Sequence, residues 1–75
     1  MKWIEVVYGE QRIMYNLNEV VKVSYDDHTK RLILTGDIII SILSNSHAEA
    51  MIKYDLIKSY INYGPTPNGL TVESE

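Results

Sequence analysis

Two histidines stand beside the residue types that would make them useful. His28 follows Asp26 and Asp27, and His47 follows Ser44 and Ser46. A hydroxyl within reach of an imidazole is the start of a nucleophile–base pair. Ser46, however, opens Ser46-His47-Ala48-Glu49, the Ser-x-x-Glu pattern of a helix capping box, which occupies its oxygen with a backbone amide. His47 then stands at the first helical position and points to solvent, so adjacency in sequence does not become a triad. Asp26, Asp27 and His28 resemble metal ligands. A hard cation wants more oxygens than this loop offers, and zinc wants further nitrogen or sulfur ligands that a chain with no cysteine cannot supply as thiolates. The three read as a solvated hairpin loop. Asp26 and Asp27 are paired carboxylates on a turn, not in a cleft. Glu5 is a lone charge on a strand, facing water or blunting an edge. The glycines, at 9, 36, 64 and 69, are isolated, whereas phosphate-cradling loops need them clustered. The expectation is a non-enzyme: no catalytic residue, no metal and no cofactor is assigned.

The aromatic and basic residues point elsewhere. Six tyrosines and one tryptophan, without a phenylalanine, suit surfaces buried on one side and wet on the other. Three of them, Tyr54, Tyr60 and Tyr63, fall on one helical segment. Lys2, Arg12, Lys22, Lys30 and Arg31 lie on or beside strands, and they are the candidates for a nucleic-acid contact if they share a face. The charge balance argues against a basic groove. Up to Gly64 there are eight acidic and seven basic side chains, so this part carries −1 of the chain's −3, and Glu73 and Glu75 carry the rest. The N-terminal stretch, with Glu5 inside it, does not read as a secretory signal. The longest apolar run, Ile38 to Leu43, is interrupted by Ser41 and far short of the ~18 residues of a membrane span. The absence of cysteine fits a cytoplasmic protein.

These residues must be positioned by a small number of elements. Seventy-five residues make one domain. Trp3 to Tyr8 is β-branched and aromatic and reads as a strand. Arg12 to Leu17 and Val20 to Tyr25 alternate with period two. Arg31 to Leu43 reads as a hairpin about Gly36-Asp37, a Gly-first pair suited to a type II′ turn. That turn would pair Thr35 with Ile38 and Leu34 with Ile39, leaving both faces apolar. A helix follows from Ser46 to about Tyr63, ended by Gly64 and Pro65. On it Ala48, Ile52, Leu56, Tyr60 and Tyr63 form one stripe, expected to face the sheet. Tyr54, Ile57 and Ile61 form a second stripe, expected to be left over. Residues 65–75 read as a flexible tail, because Leu70 and Val72 are its only sizeable aliphatic side chains.

The expected fold is therefore α+β: an antiparallel meander of four to five strands, curled toward a small barrel or open, followed by one C-terminal helix. Residues 1–64 form the domain. The run Leu32-Ile33-Leu34-Thr35-Gly36-Asp37-Ile38-Ile39-Ile40, then Ser46-His47-Ala48-Glu49-Ala50, with the Trp3-Ile4-x-Val6 start, resembles short bacterial ββββα proteins, the flagellar FlbD type among them. The resemblance implies a small accessory binding protein with no catalytic residues to transfer. This chain departs from it in its longer helix and its Pro-containing tail.

One helix can cover one sheet face and bury one stripe of its own, and this chain offers two of each. The surplus leads to the functional expectation: a non-catalytic protein-interaction module, a homodimer or an accessory subunit, with a phage- or mobile-element-encoded inhibitor of a host protein among its forms. Tyr54, Ile57 and Ile61 are the expected interface. Nucleic-acid binding through the sheet and small-ligand binding between sheet and helix are the alternatives.

Overall fold

The computed structural model describes residues 2–64 and 69–75. The strands are β1 (Trp3–Tyr8), β2 (Gln11–Asn16), β3 (Val20–Asp26), β4 (Arg31–Gly36), β5 (Ile39–Leu43) and β6 (Leu70–Ser74). A single 3₁₀ turn, Leu17–Glu19, joins β2 to β3, and the helix α1 (His47–Tyr63) lies between β5 and β6. The class is α+β, as expected, but the meander is not one sheet. The strands divide into two three-stranded sheets, β2-β1-β6 and β3-β4-β5.

The first sheet corrects the expectation for the C-terminus. Residues 70–74 are not a flexible tail. They form β6 and run parallel to β1, with Ile4 opposite Leu70 and Val6 opposite Val72. The helix is consequently not the last element. Only part of the segment is apolar, but its apolar side chains alternate: Val72 is buried while Thr71 and Glu73 are exposed. That alternation serves a strand with one buried face. Residues 65–68, the first part of the expected tail, lie outside the described residues.

The second sheet corrects the hairpin register. Thr35 pairs with Ile39, Leu34 with Ile40, Ile33 with Ser41 and Leu32 with Ile42. The connection is one residue longer than a two-residue turn, and a one-residue slip moves side chains between faces. Leu32, Leu34, Ile40 and Ile42 share the inner face and are fully buried. The cause lies in a third segment. Val20 pairs with Gly36, and the Asp37 amide donates to the Glu19 carbonyl at 3.2 Å. A Cβ on Gly36 would overlap that carbonyl. Glycine is thus required here for close approach, not for a left-handed turn.

The core comprises Ile4, Val6, Leu17, Leu32, Leu34, Ile40, Ile42, Ile57, Tyr60 and Val72. It draws on both sheets and the inner face of α1. The sheets meet where β5 runs beside β6. The Glu75 amide donates to the Leu43 carbonyl at 2.8 Å, and the Leu43 amide donates to Ser74 Oγ at 3.0 Å. The Tyr8 hydroxyl crosses from one sheet to the other, donating to the Ser41 carbonyl at 3.0 Å. Burial, with the Tyr15 hydroxyl beside it, pushes the Tyr8 phenol up to about 12.

Candidate interaction surfaces

The helix begins as its capping box dictates. Ser46 is in extended backbone, and its Oγ accepts from the Glu49 amide at 3.2 Å. At the other end Gly64, at φ 92°, closes the helix. Two tethers, to Trp3 at the start of β1 and to Lys2 just before it, fix the C-terminal half. The Tyr60 hydroxyl donates to the Trp3 carbonyl at 2.9 Å, and Lys2 Nζ donates to the Ile61 carbonyl at 2.6 Å. A cation on the last carbonyls also suits the negative end of the helix dipole.

The rotation of the helix differs from the expectation, which holds only at Tyr60, buried as expected. Its inner face is Ala50, Lys53, Ile57 and Tyr60, with Tyr54 and Ile61 packed partly buried beside them. Ile57, named as an interface residue, is completely buried in the core. Tyr54 and Ile61 flank it and are half-buried. Positions 50, 53, 54, 57, 60 and 61 follow the i, i+3, i+4, i+7 spacing of a core-facing stripe. A lysine in the middle of that stripe disguised it. The other stripe, Tyr60 apart, faces out: Ile52 is 63% exposed, Leu56 48% and Tyr63 87%, with Ala48 exposed as well. The surplus apolar surface of the helix exists, but it is Ile52, Leu56 and Tyr63 that carry it.

Lys53 is a consequence of this rotation. It is a buried lysine, and its Nζ finds no hydrogen-bond partner among the described residues. The buried Ser44 Oγ is likewise unpartnered. A buried donor without an acceptor costs about 1–3 kcal/mol. Neither position carried a sequence signal, since the orientation of the helix decides both.

The structure joins two clusters that lie twenty residues apart. Asp27 Oδ1 accepts from the Tyr25 hydroxyl at 3.1 Å, contacts Lys30 Nζ at 3.4 Å and lies 3.0 Å from His47 Nδ1. The Tyr25 hydroxyl, then Lys30 and His47, hold the Asp27 carboxyl below its usual range. Desolvation and the Asp27 carboxylate raise the Tyr25 phenol. The Tyr25 and His47 rings meet at a tilt, with centroids 5.5 Å apart. The cluster straps the β3–β4 loop to the start of α1. Among the described residues the hydrogen bonds of Ser46 Oγ and His47 run elsewhere than to each other: Ser46 Oγ accepts from the Glu49 amide, and His47 Nδ1 lies against Asp27. His28 takes no part through its ring; its amide donates to Asp26 Oδ1 at 3.0 Å in a local turn. Glu19 and Asp37 are a further pair of carboxylates that the sequence did not single out. Hydrogen bonding and charge from Asp37 raise Glu19. Among the described residues no group of three His, Cys, Asp or Glu side chains is placed to hold a metal ion.

The five basic residues do not converge on one face. Lys2 is bound to the helix end, and Lys30 to Asp27. Arg12 lies on β2 and pairs with Glu5 at 3.2 Å. Lys22 and Arg31 share the outer face of the second sheet, where Arg31 donates to Ser41 Oγ at 2.9 Å.

Two open grooves are lined by described residues. One, of about 170 Å³, runs between β3 and the C-terminal half of α1 and is lined by Val23, Tyr54, Lys58, Ile61 and Asn62. The other, of about 240 Å³, lies on the outer face of the first sheet among Trp3, Glu5, Met14, Gly69, Leu70 and Thr71. Among the described residues no helix is long and apolar enough to cross a membrane. No protein-family model, no curated protein and no solved structure matches the chain.

Proposed function

We propose that this protein is a small, non-catalytic protein-interaction module that pairs through the outer stripe of α1. The observation that carries the reading is the two-sidedness of the helix. Its inner face is committed to the core, yet Ile52, Leu56 and Tyr63 stand on the opposite side, largely in water. Apolar side chains grouped on one face of an exposed helix mark an association surface more often than an isolated one does. Tyrosine at the end of the stripe adds a residue type enriched in interface cores. The partner is a second copy of the chain. A domain this small buries a limited fraction of its surface, has no cysteine for a disulfide, and gains most from oligomerisation.

The test is sedimentation of the wild type and of Leu56→Asp over a range of concentrations. The wild type is expected to form a dimer. The variant is expected to be monomeric and folded, because the charge enters an apolar contact between molecules and not the core. Ile57→Asp is the internal control: it places a charge in the core and unfolds the chain without reporting on association. A wild type that remains monomeric at high concentration removes self-pairing and leaves the accessory-subunit form of the reading, tested by capture on a Leu56→Asp-sensitive column.

A further inference from the structure

We infer that the groove between the free edge of β3 and α1 takes an extended peptide strand from a partner protein, with an aliphatic side chain among Val23, Tyr54 and Ile61 and a carboxylate against Lys58. This site is separate from the outer stripe of the helix and does not depend on it.

The first observation is the strand edge. β3 is bonded to β4 on one side only. The backbone groups that its alternate residues direct away from β4 make no backbone hydrogen bond among the described residues. Such a row is a template for strand addition. The register shift between Val20 and Lys22 sets its limit. A bulge ends regular pairing and throws Val21 outward, 85% exposed. The usable edge is therefore Lys22 to Asp26, five residues.

The groove beside the edge is the second observation. Val23, on the inner face of β3 opposite Leu34, forms one wall. Tyr54 and Ile61, half-buried on α1, form the other. The volume, about 170 Å³, is below the ~300 Å³ at which small-molecule pockets begin, so it suits one inserted side chain better than a free ligand. Strand addition supplies such a side chain at every second position of the incoming segment.

The third observation is charge. Lys58 lines this groove, and no ion pair engages it among the described residues. An acidic residue near the aliphatic anchor satisfies it. β2 is the other free edge among the described strands, and neither of these two grooves lies between it and the helix.

The experiment selects from a phage-displayed library of ten-residue linear peptides against the wild-type protein, Lys58→Glu and Leu56→Asp. The wild type is expected to enrich an aliphatic residue accompanied within two or three positions by Asp or Glu. The synthetic form of the selected peptide should bind Lys58→Glu roughly fivefold more weakly, the scale of one exposed ion pair. It should bind Leu56→Asp as it binds the wild type. Hydrogen exchange should slow at the amides of Lys22 to Asp26 when the peptide is present. The inference is overturned by a library that enriches nothing, by a consensus lacking an acidic residue, or by binding indifferent to Lys58→Glu. Protection of Lys22 to Asp26 that rises with protein concentration alone would make a second copy the occupant and would also overturn it. Dimerisation lost in Leu56→Asp while peptide binding persists separates this site from the outer stripe.

Discussion

Replacing Val72 with alanine tests whether the chain's last strand belongs to the fold. Val72 is 3% exposed and lies opposite Val6, itself fully buried. The substitution removes two methyl groups from the core. At about 0.8 kcal/mol per buried methylene the transfer loss is about 1.6 kcal/mol. The cavity left behind adds to it, and the total is about 2 kcal/mol. In a domain of this size each kcal/mol lowers the melting temperature by about 4–8 °C, so a fall of about 10 °C is expected. Thermal unfolding followed by far-UV circular dichroism gives the answer. Glu73→Ala is the control: its side chain is exposed, on the opposite face of the same strand, and a surface change of this kind stays within about 0.5 kcal/mol. If Val72→Ala melts with the wild type, β6 is not docked on β1. Residues 69–75 would then be the dispensable tail that their composition implies.

Three further outcomes follow from individual contacts. Ser46→Ala should cost about 1 kcal/mol in chemical denaturation, because the Glu49 amide loses its acceptor; an unchanged midpoint would remove Ser46 as the cap. Lys53→Met keeps the buried stem and deletes an unpartnered nitrogen, so it should stabilise by about 1–3 kcal/mol; a loss of stability on thermal melting would mean that Nζ has a partner. Asp27 has a folded carboxyl held below its usual value by Tyr25, Lys30 and His47. A depressed carboxyl contributes stability that is present above the unfolded value, about 3.9, and lost as pH falls through the folded one. Melting temperature against pH should therefore drop more steeply on the acid side for the wild type than for Asp27→Asn, and parallel curves would show that the cluster is unformed in solution.

What the sequence revealed and what it concealed divide by range. The capping box at Ser46 was legible because its donor, the Glu49 amide, is three residues away and nothing distant competes for it. The strands β1 to β5 were legible as elements through their period of two. The register of β4 with β5 was not. Gly36-Asp37 satisfies the local grammar of a two-residue turn, but the Asp37 amide is taken by the Glu19 carbonyl, a partner eighteen residues upstream. The rotation of α1 failed for a different reason. Lys53 occupies the centre of the inner stripe, and a charged residue there argues for solvent in any reading that weighs residues singly. The interface therefore fell on Tyr54, Ile57 and Ile61 when the large exposed apolar side chains of the helix are Ile52, Leu56 and Tyr63. β6 was hardest of all. Parallel pairing with β1 spans 66 residues between Ile4 and Leu70, and no local pattern encodes a partner at that separation.

The placement of β6 also limits how a partner can approach. A parallel pair requires a crossover connection, and here everything from β2 to α1 lies between the paired strands. The first sheet therefore holds both the first and the last strand of the described chain. β6 takes one edge of that sheet, and its end is bonded to β5, the edge of the other sheet. Two of the four edges are thus engaged with each other, and β2 and β3 remain. They are consecutive in the chain, joined only by the 3₁₀ turn Leu17–Glu19. The two edges are guarded unequally. β3 carries a bulge at Val21 and Lys22 on its outer face, whereas β2 has Arg12 alone, already paired with Glu5. Charges and bulges are the devices that discourage indiscriminate edge pairing. A bulged edge beside a side-chain-sized groove is selective, because it fixes where an added strand begins and which residue must enter the groove. β2 carries no bulge, and the groove that its Met14 lines is on the outer face of its sheet, so nothing fixes where an added strand begins. Specific recognition is therefore expected at β3, and any nonspecific association of this protein at high concentration is expected to start from β2.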